Sequence, residues 1–336
     1  MPVTRKILLS IITVLIIIAI AVWRIQVAFM PRLEQQRRIM MTTYVTIYAY
    51  GTKPVVTRAM DSAFQRMQET SEKFNAHNPK SPLYAFNQNG TPLKDEEILK
   101  VINLALEVSK QSQGAFDITV YPLVKLWGFY GDSSEQIPSQ DQINRAINCI
   151  GYKHLILADG ELKKDQENIF IDLGGIAKGY VISQGIEALK KAGVHSAIIQ
   201  AGGDIYALGN KKTGPWKIGI RHPRKEGILG YLEVTNQAVM GSGDYERFFI
   251  KEGKRYNHIL DPKTGYPALE ASGVTVIYFD PTVADAWATA LSVMGPGGLE
   301  IIESIPGMEA IIITPAGKIR YTSGLKKLNN PASAKK

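Results

Sequence analysis

Residues 7–23, ILLSIITVLIIIAIAVW, form an uncharged apolar segment with the length of a membrane-spanning helix. A helix rises about 1.5 Å per residue, so this segment is just long enough to cross the hydrocarbon core of a bilayer. Arg5 and Lys6 precede it, which favours a cytoplasmic N-terminus and a body outside the cytoplasm. We therefore predict an N-terminal membrane anchor within residues 1–30.

A removed signal peptide is the alternative for this segment. Ala19-Ile20-Ala21 has the small-x-small pattern of a cleavage site, whereas the apolar segment is longer than a usual signal core. After it, residues 31–40 contain a proline and five basic or amide side chains, and we predict a linker there. Residues 41–325 are predicted to be the folded domain and residues 326–336 a basic flexible tail.

The positive charge of the chain lies at its two ends. Of the net +8, residues 1–38 carry +5 and residues 318–336 carry +6, which leaves −3 for residues 39–317. Nucleic-acid binding needs a basic face along several phosphates, and a mildly acidic body does not supply one. We therefore exclude nucleic acid as a partner.

Several common chemical motifs are missing from the sequence. It contains no G-x-G-x-x-G, no G-x-x-x-x-G-K-[ST] and no G-x-S-x-G, so a standard dinucleotide fingerprint, a P-loop and a nucleophile elbow have no support. The single cysteine, Cys149, excludes an internal disulfide and a multi-cysteine metal site.

The hydrophobic pattern of the body predicts an α+β fold with mixed or antiparallel sheets and packed helices. Strands are expected at 43–50, 155–157, 169–172, 197–200, 217–221, 230–235, 255–260, 273–279 and 309–314. Helices are expected at 55–74, 95–111, 139–148, 177–192, 282–294 and 298–305. Ser139 and Gln142 have the spacing of a capping box for the third of these helices.

Four segments combine glycine with charged side chains: GAFDITVYP at 114–122, DLGGIAKGY at 172–180, AGGD at 201–204 and YNHILDPKTGYP at 256–267. In the second, a predicted strand ends in an acid, two glycines follow, and a lysine begins a helix. Such a turn lets the backbone approach an anionic ligand closely. Ordinary turn formation is the alternative for the glycines in the last three. It does not explain His258, for which a structural role is the alternative.

A fifth segment, ADAWATAL at 284–291, places Asp285 and Thr289 four residues apart, so both oxygens lie on one side of a helix. A carboxylate and a hydroxyl suit Mg²⁺, which takes few protein oxygens and leaves room for phosphates. The alternative is a capping box formed by Thr282 and Asp285.

In this order and spacing, the segments resemble the ApbE family, the FAD:protein FMN transferases. The matching stretches are Met40-Met41-Thr42-Thr43, GAFDITVYPLVKLWGF, DLGGIAKGY, AGGDI, SGDYERFF, HILDPKTGYP and ADAWATAL, and they extend over residues 38–322. The resemblance implies a T-fold-related architecture and an extracytoplasmic location. With the predicted anchor, this means the periplasmic side of a bacterial inner membrane.

The resemblance also implies a reaction. FAD is the substrate, Mg²⁺ the cofactor, and FMN is transferred to a Ser or Thr hydroxyl of a target protein while AMP leaves. The implied target is a subunit of a membrane redox complex with an acceptor motif similar to D-x-x-[ST]-G-A-[ST]. The residues implied to touch FAD are Met40, His77, Ala115, Phe116, Asp117, Asp172, Lys178 and Ile259, with Leu260 as the alternative to Ile259.

The implied Mg²⁺ ligands are Asp285, Thr289 and the backbone carbonyl of Gly175, and His258 would assist the acceptor hydroxyl. Met41 stands where the family pattern has glycine, and His77 falls where relatives carry Tyr or Trp. Two alternative functions remain open. One is an FAD pyrophosphatase that releases FMN and AMP, and the other is a periplasmic protein that binds FAD without chemistry.

Overall fold

The computed structural model describes residues 2–28, 30–130 and 137–325. The helices are α1 Pro2–Ala28, α2 Lys53–Lys73, α3 Pro82–Asn89, α4 Glu96–Gln111, α5 Tyr121–Leu126, α6 Gln140–Ile147, α7 Ala177–Lys191, α8 Pro281–Met294 and α9 Leu299–Glu303. The strands are β1 Arg32–Met40, β2 Thr43–Gly51, β3 Leu155–Ala158, β4 Glu161–Lys164, β5 Ala197–Ala201, β6 Asp204–Leu208, β7 Trp216–Arg221, β8 Ile228–Val234, β9 Gln237–Gly243, β10 Phe248–Lys251, β11 Lys254–Asn257, β12 Gly273–Tyr278, β13 Glu309–Ile313 and β14 Ile319–Tyr321. The predicted tail at 326–336 lies outside the described residues.

Helix α1 contains the apolar segment. Its stretch Ile7–Arg24 has a mean hydropathy of 2.7, and none of it is buried against the body. By length and composition the helix can cross a membrane, and a signal sequence would meet the same criteria.

Eight strands form one antiparallel sheet in the order β1-β2-β5-β6-β9-β12-β13-β14. Strand β2 has the period of two that is typical of a strand with one face on the core, since Val45, Ile47 and Ala49 are buried at alternate positions. Pairs β3-β4, β7-β8 and β10-β11 form three separate two-stranded sheets. The predicted α+β class is therefore confirmed.

The prediction of a linker over residues 31–40 is wrong, because residues 32–40 form the edge strand β1. All nine of its residues pair in register with β2, from Arg32 with Gly51 to Met40 with Thr43. Its basic side chains have partners on neighbouring elements: Arg37 donates to Thr46 Oγ1, and Arg38 forms an ion pair with Asp61. Polar side chains are common on edge strands, and in the sequence they look like a linker.

The sheet is covered differently on its two faces. Helices α2, α4, α7 and α8 contribute to the main core, and the apolar faces of α2 and α4 are buried in it. On the opposite face, the β7-β8 hairpin packs Trp216, Ile218 and Leu232 in a second cluster with Ile198 and Val239. A third cluster joins α5 and α6 to β10 and β11.

Two predicted strands differ from the structure. Residues 169–172 are not a strand, since the side chain of Asn87 forms hydrogen bonds with both the N–H and the C=O of Ile171. The strand predicted at 255–260 ends at Asn257, whose side chain accepts from Ile259 N and donates to Ala268 O. In both places an asparagine side chain makes hydrogen bonds with backbone groups that a neighbouring strand would otherwise bond.

Helices α7 and α8 are in direct contact at Gly179. A Cβ atom there would lie 2.1 Å from the carbonyl oxygen of Pro281 and 2.9 Å from Cβ of Asp285. Because the nearest atom belongs to the backbone, the contact cannot relax by a rotamer change. This position is therefore restricted to glycine, and it fixes how the two helices meet.

We predict that Gly179→Ala lowers the free energy of unfolding by about 3 kcal/mol, the upper part of the range for overpacked cores. Chemical denaturation monitored by circular dichroism measures the change. Gly297→Ala is the matched control, because a Cβ there meets nothing within 4 Å. Equal stability of the two variants would contradict the close contact.

Candidate active site

Two adjoining cavities lie beside the first turn of α7 and the loop that precedes β10, and the smaller of them also borders α8. The smaller has a volume of about 160 Å³ and the larger about 790 Å³. The residues that line both are Tyr130, Asp172, Gly174, Lys178, Gly241, Glu246 and Arg247. Ten of the twelve residues implied by the family resemblance line the smaller cavity: Ala115, Phe116, Asp117, Asp172, Gly175, Lys178, His258, Ile259, Asp285 and Thr289.

Helix α8 carries Asp285 and Thr289 to the smaller cavity. Its N-cap is Asp280, whose side chain accepts from Thr282 N at 2.8 Å and Val283 N at 3.3 Å. The capping box considered for Thr282 and Asp285 is therefore wrong. Asp285 Oδ2 instead accepts from Gly179 N at 2.8 Å, which joins α8 to α7.

Lys178 lies among three carboxylates. Its Nζ is 2.5 Å from Oδ2 of Asp204, a residue with no exposed surface whose Oδ1 accepts from Gly241 N. Burial by itself lowers the pKa of Lys178, but the charges of Asp204, Asp285 and Glu246 outweigh it and raise the pKa. Lys178 is therefore a permanent cation between the two cavities.

Among the charges that act on Asp285, the two carboxylates of Asp204 and Glu246 oppose the single cation of Lys178. Burial, followed by the neighbouring charge of Asp204, raises the pKa of Asp285 to about 7, although Lys178 and the N–H of Gly179 act in the opposite direction. Burial likewise raises the pKa of Glu246. A divalent cation beside Asp285 would compensate for the excess and keep the carboxylate ionised.

The oxygen atoms near Asp285 fit a hard cation. Gly175 lies beside Thr289, because a Cβ on Gly175 would be 3.3 Å from Thr289 Oγ1 and 3.1 Å from the ring of Phe116. Carboxylate, hydroxyl and backbone carbonyl oxygens are ligands that Mg²⁺ accepts. Within the described part of the chain, no cluster of three His, Cys, Asp or Glu side chains could hold a metal. The remaining ligands would have to come from substrate or water.

His258 follows the last residue of β11 and borders the same cavity. Its Nδ1 is 3.2 Å from the carbonyl oxygen of Arg247, which can only accept, so Nδ1 carries the proton and Nε2 keeps a free lone pair. Burial lowers the pKa of His258 to about 4, with further contributions from the charges of Arg247 and Lys178. The imidazole is therefore neutral at neutral pH and can accept a proton.

Asp117 and Asp172, the acids of the first two glycine-containing segments, accept hydrogen bonds from other groups of the protein. Asp117 accepts from the N–H and hydroxyl of Thr119 and from Tyr152 N. Asp172 accepts from Gly174 N and from the hydroxyl of Tyr130. They hold the loops that shape the cavity.

The two remaining predicted residues lie elsewhere. His77 lines only the larger cavity, where its ring centroid is 5.0 Å from that of Tyr130. Met40 is buried in the main core and lines neither cavity. Its neighbours Met41 and Thr42 line the larger cavity and have φ values of 50° and 59°, as in a type I′ turn.

Glu246, Arg247 and Tyr130 line both cavities, although no role was predicted for them from the sequence. Glu246 and Arg247 belong to the stretch SGDYERFF, which was matched to the family without a chemical interpretation. No local pattern marks Tyr130. Only the fold brings it to Asp172, 42 residues along the chain.

The chain belongs to the ApbE family, whose model matches residues 41–312. The FAD:protein FMN transferase of Vibrio cholerae is 30% identical over 84% of this chain and 88% of its own length. The protein of the same name from Treponema pallidum is 30% identical over 85% of this chain and 86% of its own length. The crystal structure of the ApbE protein from Thermotoga maritima superposes with a TM-score of 0.81, at 33% identity, over 87% of this chain and 97% of that one. The family and fold predicted from the sequence are confirmed.

We predict that Arg247→Gln raises the pKa of His258 from about 4 toward the ordinary 6.5, because it removes a nearby positive charge. In the wild type, the unfolded chain binds the His258 proton below pH 6.5 and the folded protein does not. Folding stability therefore falls as the pH drops from 6.5 to about 4. In the variant, the pH range over which stability falls is narrower, because the pKa of the folded state is higher. NMR titration of the imidazole measures the pKa.

Arg145→Gln is the matched control for this titration, since Arg145 is an exposed residue of α6. It should leave the pKa of His258 unchanged. A wild-type His258 that titrates at 6.5 would show that the imidazole is solvated and would contradict the described environment.

Proposed function

We propose that this chain transfers FMN from FAD to a serine or threonine hydroxyl of a target protein, with Mg²⁺ as cofactor and AMP as the leaving group. The observation that carries the proposal is the meeting of Asp285, Thr289, Gly175, Lys178 and His258 at one cavity. These residues come from three separate segments of the chain and combine oxygen ligands, a cation and a neutral base. Family membership and the names of the relatives support the same reaction.

Mg²⁺ would be held by the Asp285 carboxylate, the Thr289 hydroxyl and the Gly175 carbonyl. When bound, it supplies charge neutralisation on the two phosphates of FAD. The fit rests on the excess negative charge around Asp285 and on the oxygen-only donor set.

Different parts of FAD are assigned to the two cavities and to the position where they adjoin. Lys178 and Arg247 lie where the cavities adjoin, and we assign the pyrophosphate of FAD to this position because it carries negative charge. The larger cavity has the size of a ligand pocket and includes the rings of Phe74, His77 and Tyr130, which suit a flat ring system.

The transfer exchanges one phosphorus–oxygen bond for another. The acceptor hydroxyl oxygen bonds to the phosphorus of the FMN half, the bond to the bridging oxygen breaks, and AMP leaves with that oxygen. Nε2 of His258 takes the hydroxyl proton, and general-base assistance of this kind contributes a factor of about 10²–10⁴ in rate. Lys178 offsets negative charge on the phosphates.

Helix α1 is proposed as the uncleaved anchor that holds the enzyme on the periplasmic side of a bacterial inner membrane. Its length and apolar composition support this role. The target is proposed to be a subunit of a membrane redox complex with a D-x-x-[ST]-G-A-[ST]-like acceptor motif. A membrane-bound target would lie in the same compartment and at the same surface as the anchored enzyme.

The proposal is tested by incubating the full chain with FAD, Mg²⁺ and a protein that carries the acceptor motif. We expect the acceptor to gain the mass of one FMN in mass spectrometry, with one AMP released for each acceptor modified. Asp285→Ala should abolish this transfer without loss of the fold, because the cation loses its only carboxylate ligand. Asp280→Asn is the matched control and should remain active, since asparagine is also a good N-cap.

Other products would contradict the proposal in distinct ways. Free FMN and AMP with an unmodified acceptor would identify a pyrophosphatase. Bound FAD without AMP release would identify a binding protein. Full Mg²⁺-dependent transfer by Asp285→Ala would remove this residue from the metal site.

We predict that His258→Ala retains FAD binding but transfers FMN at least about a hundredfold more slowly, because the acceptor hydroxyl loses its base. Equilibrium binding of FAD and the initial rate of acceptor labelling separate the two effects. His195→Ala is the matched control, since His195 is exposed and lines neither cavity. An unchanged rate in His258→Ala would place the base elsewhere.

A further inference from the structure

The end of the body nearest to α1 is opposite the end that holds the cavities. Strand β1 begins at Arg32, four residues after α1 ends, and it runs to the Met41–Thr42 turn that lines the larger cavity. Its nine residues extend over roughly 26 Å at about 3.3 Å per residue. Helix α1 therefore fixes one end of the sheet at the bilayer and leaves the cavities away from it.

Basic side chains surround the point where the chain leaves α1. Arg24 and Trp23 of α1 line a groove of about 750 Å³ together with Arg32, Lys53 and Arg58 of the body. The register of β1 and β2 explains why these residues meet. Arg32 pairs with Gly51, and α2 begins at Lys53, two residues later.

Two further lysines reach the same end from the β6–β7 connection. The ammonium group of Lys212 lies 5.0 Å from the ring centroid of Tyr50, whose hydroxyl donates to Pro31 O. Lys211 precedes it and lies over the ring of Trp216. We call the set Lys53, Arg58, Lys211 and Lys212 the basic end face.

The positive charge of the basic end face is not compensated within the part of the chain that the structure describes. Arg32 has a carboxylate partner in Glu34, but none of the four residues of the face takes part in an ion pair. Lys53, Arg58 and Lys212 are exposed. Four uncompensated cations beside the end of a membrane-length helix complement an anionic surface.

We propose that the basic end face binds the phosphate groups of anionic phospholipids in the leaflet where α1 ends. Trp23 stands at the end of the apolar stretch Ile7–Arg24, and aromatic side chains are enriched where a membrane-spanning helix reaches the headgroups. Contact at the face restrains the body on its tether and directs the cavities away from the bilayer. This inference rests on the proposed anchoring by α1.

The test uses the full chain in detergent micelles, with native mass spectrometry to count the bound phosphatidylglycerol or phosphatidylcholine molecules. We expect the wild type to retain phosphatidylglycerol preferentially. The quadruple variant Lys53→Gln, Arg58→Gln, Lys211→Gln, Lys212→Gln should bind it at least about a hundredfold more weakly, because each of the four cations contributes about fivefold near an anionic headgroup. The matched control Lys100→Gln, Lys110→Gln, Arg145→Gln, Lys225→Gln removes the same charge from exposed sites elsewhere and should not change the affinity.

Three results would overturn the inference. They are equal retention of both lipids by the wild type, equal loss of affinity in the control variant, and full displacement of phosphatidylglycerol by inorganic phosphate, which would indicate a site for the free ion.

Flavin transfer measured in the same micelles keeps the proposals separate, since both variants should transfer FMN at the wild-type rate. A wild-type chain that binds phosphatidylglycerol but transfers no FMN would refute only the catalytic proposal. A chain that fails to enter phosphatidylcholine bilayers would refute the anchor and this inference with it.

Discussion

The hydrogen bond from Gly179 N to Asp285 Oδ2 is the contact on which the active-site geometry depends. It forms because α7 and α8 meet where one of them has no side chain, and a single methyl group there would strike the backbone of Pro281. Lys178 precedes this glycine, and Thr289 lies one helical turn beyond Asp285. The same contact therefore places a cation, a carboxylate and a hydroxyl at one cavity.

The chemistry of the cavity follows from its unequal charges. Asp204, Glu246 and Asp285 are carboxylates around the single ammonium of Lys178, and burial raises the pKa values of Glu246 and Asp285. Such a cluster is costly without a further positive charge, which is the property expected of a metal site before its ion binds. His258 contributes a proton acceptor, since burial and nearby cations keep its imidazole neutral.

Much of this arrangement could be predicted because it is local in sequence. The helical spacing of Asp285 and Thr289, the glycines before Lys178 and the ordered family motifs all lie within short segments. Long-range partners could not be predicted in the same way. Nothing near Asn87 indicates that its side chain replaces a strand for Ile171, and nothing near Asp285 indicates Gly179, 106 residues away. Strand β1 was missed because its side chains are mostly polar and show no alternation of apolar and polar residues. Its pairing with β2 buries Met40 in the core, whereas Met41 and Thr42 line the larger cavity.

In the proposed reaction, one cation binds at the Asp285–Thr289 face of α8 against the phosphates of FAD. Anomalous diffraction from crystals of the full chain grown with FAD and Mn²⁺, a substitute for Mg²⁺ with an anomalous signal, tests it most directly. We expect a manganese peak bonded to oxygens of Asp285, Thr289 and Gly175 and to the pyrophosphate. A peak at another place, with FAD bound and these three residues free of metal, would contradict it.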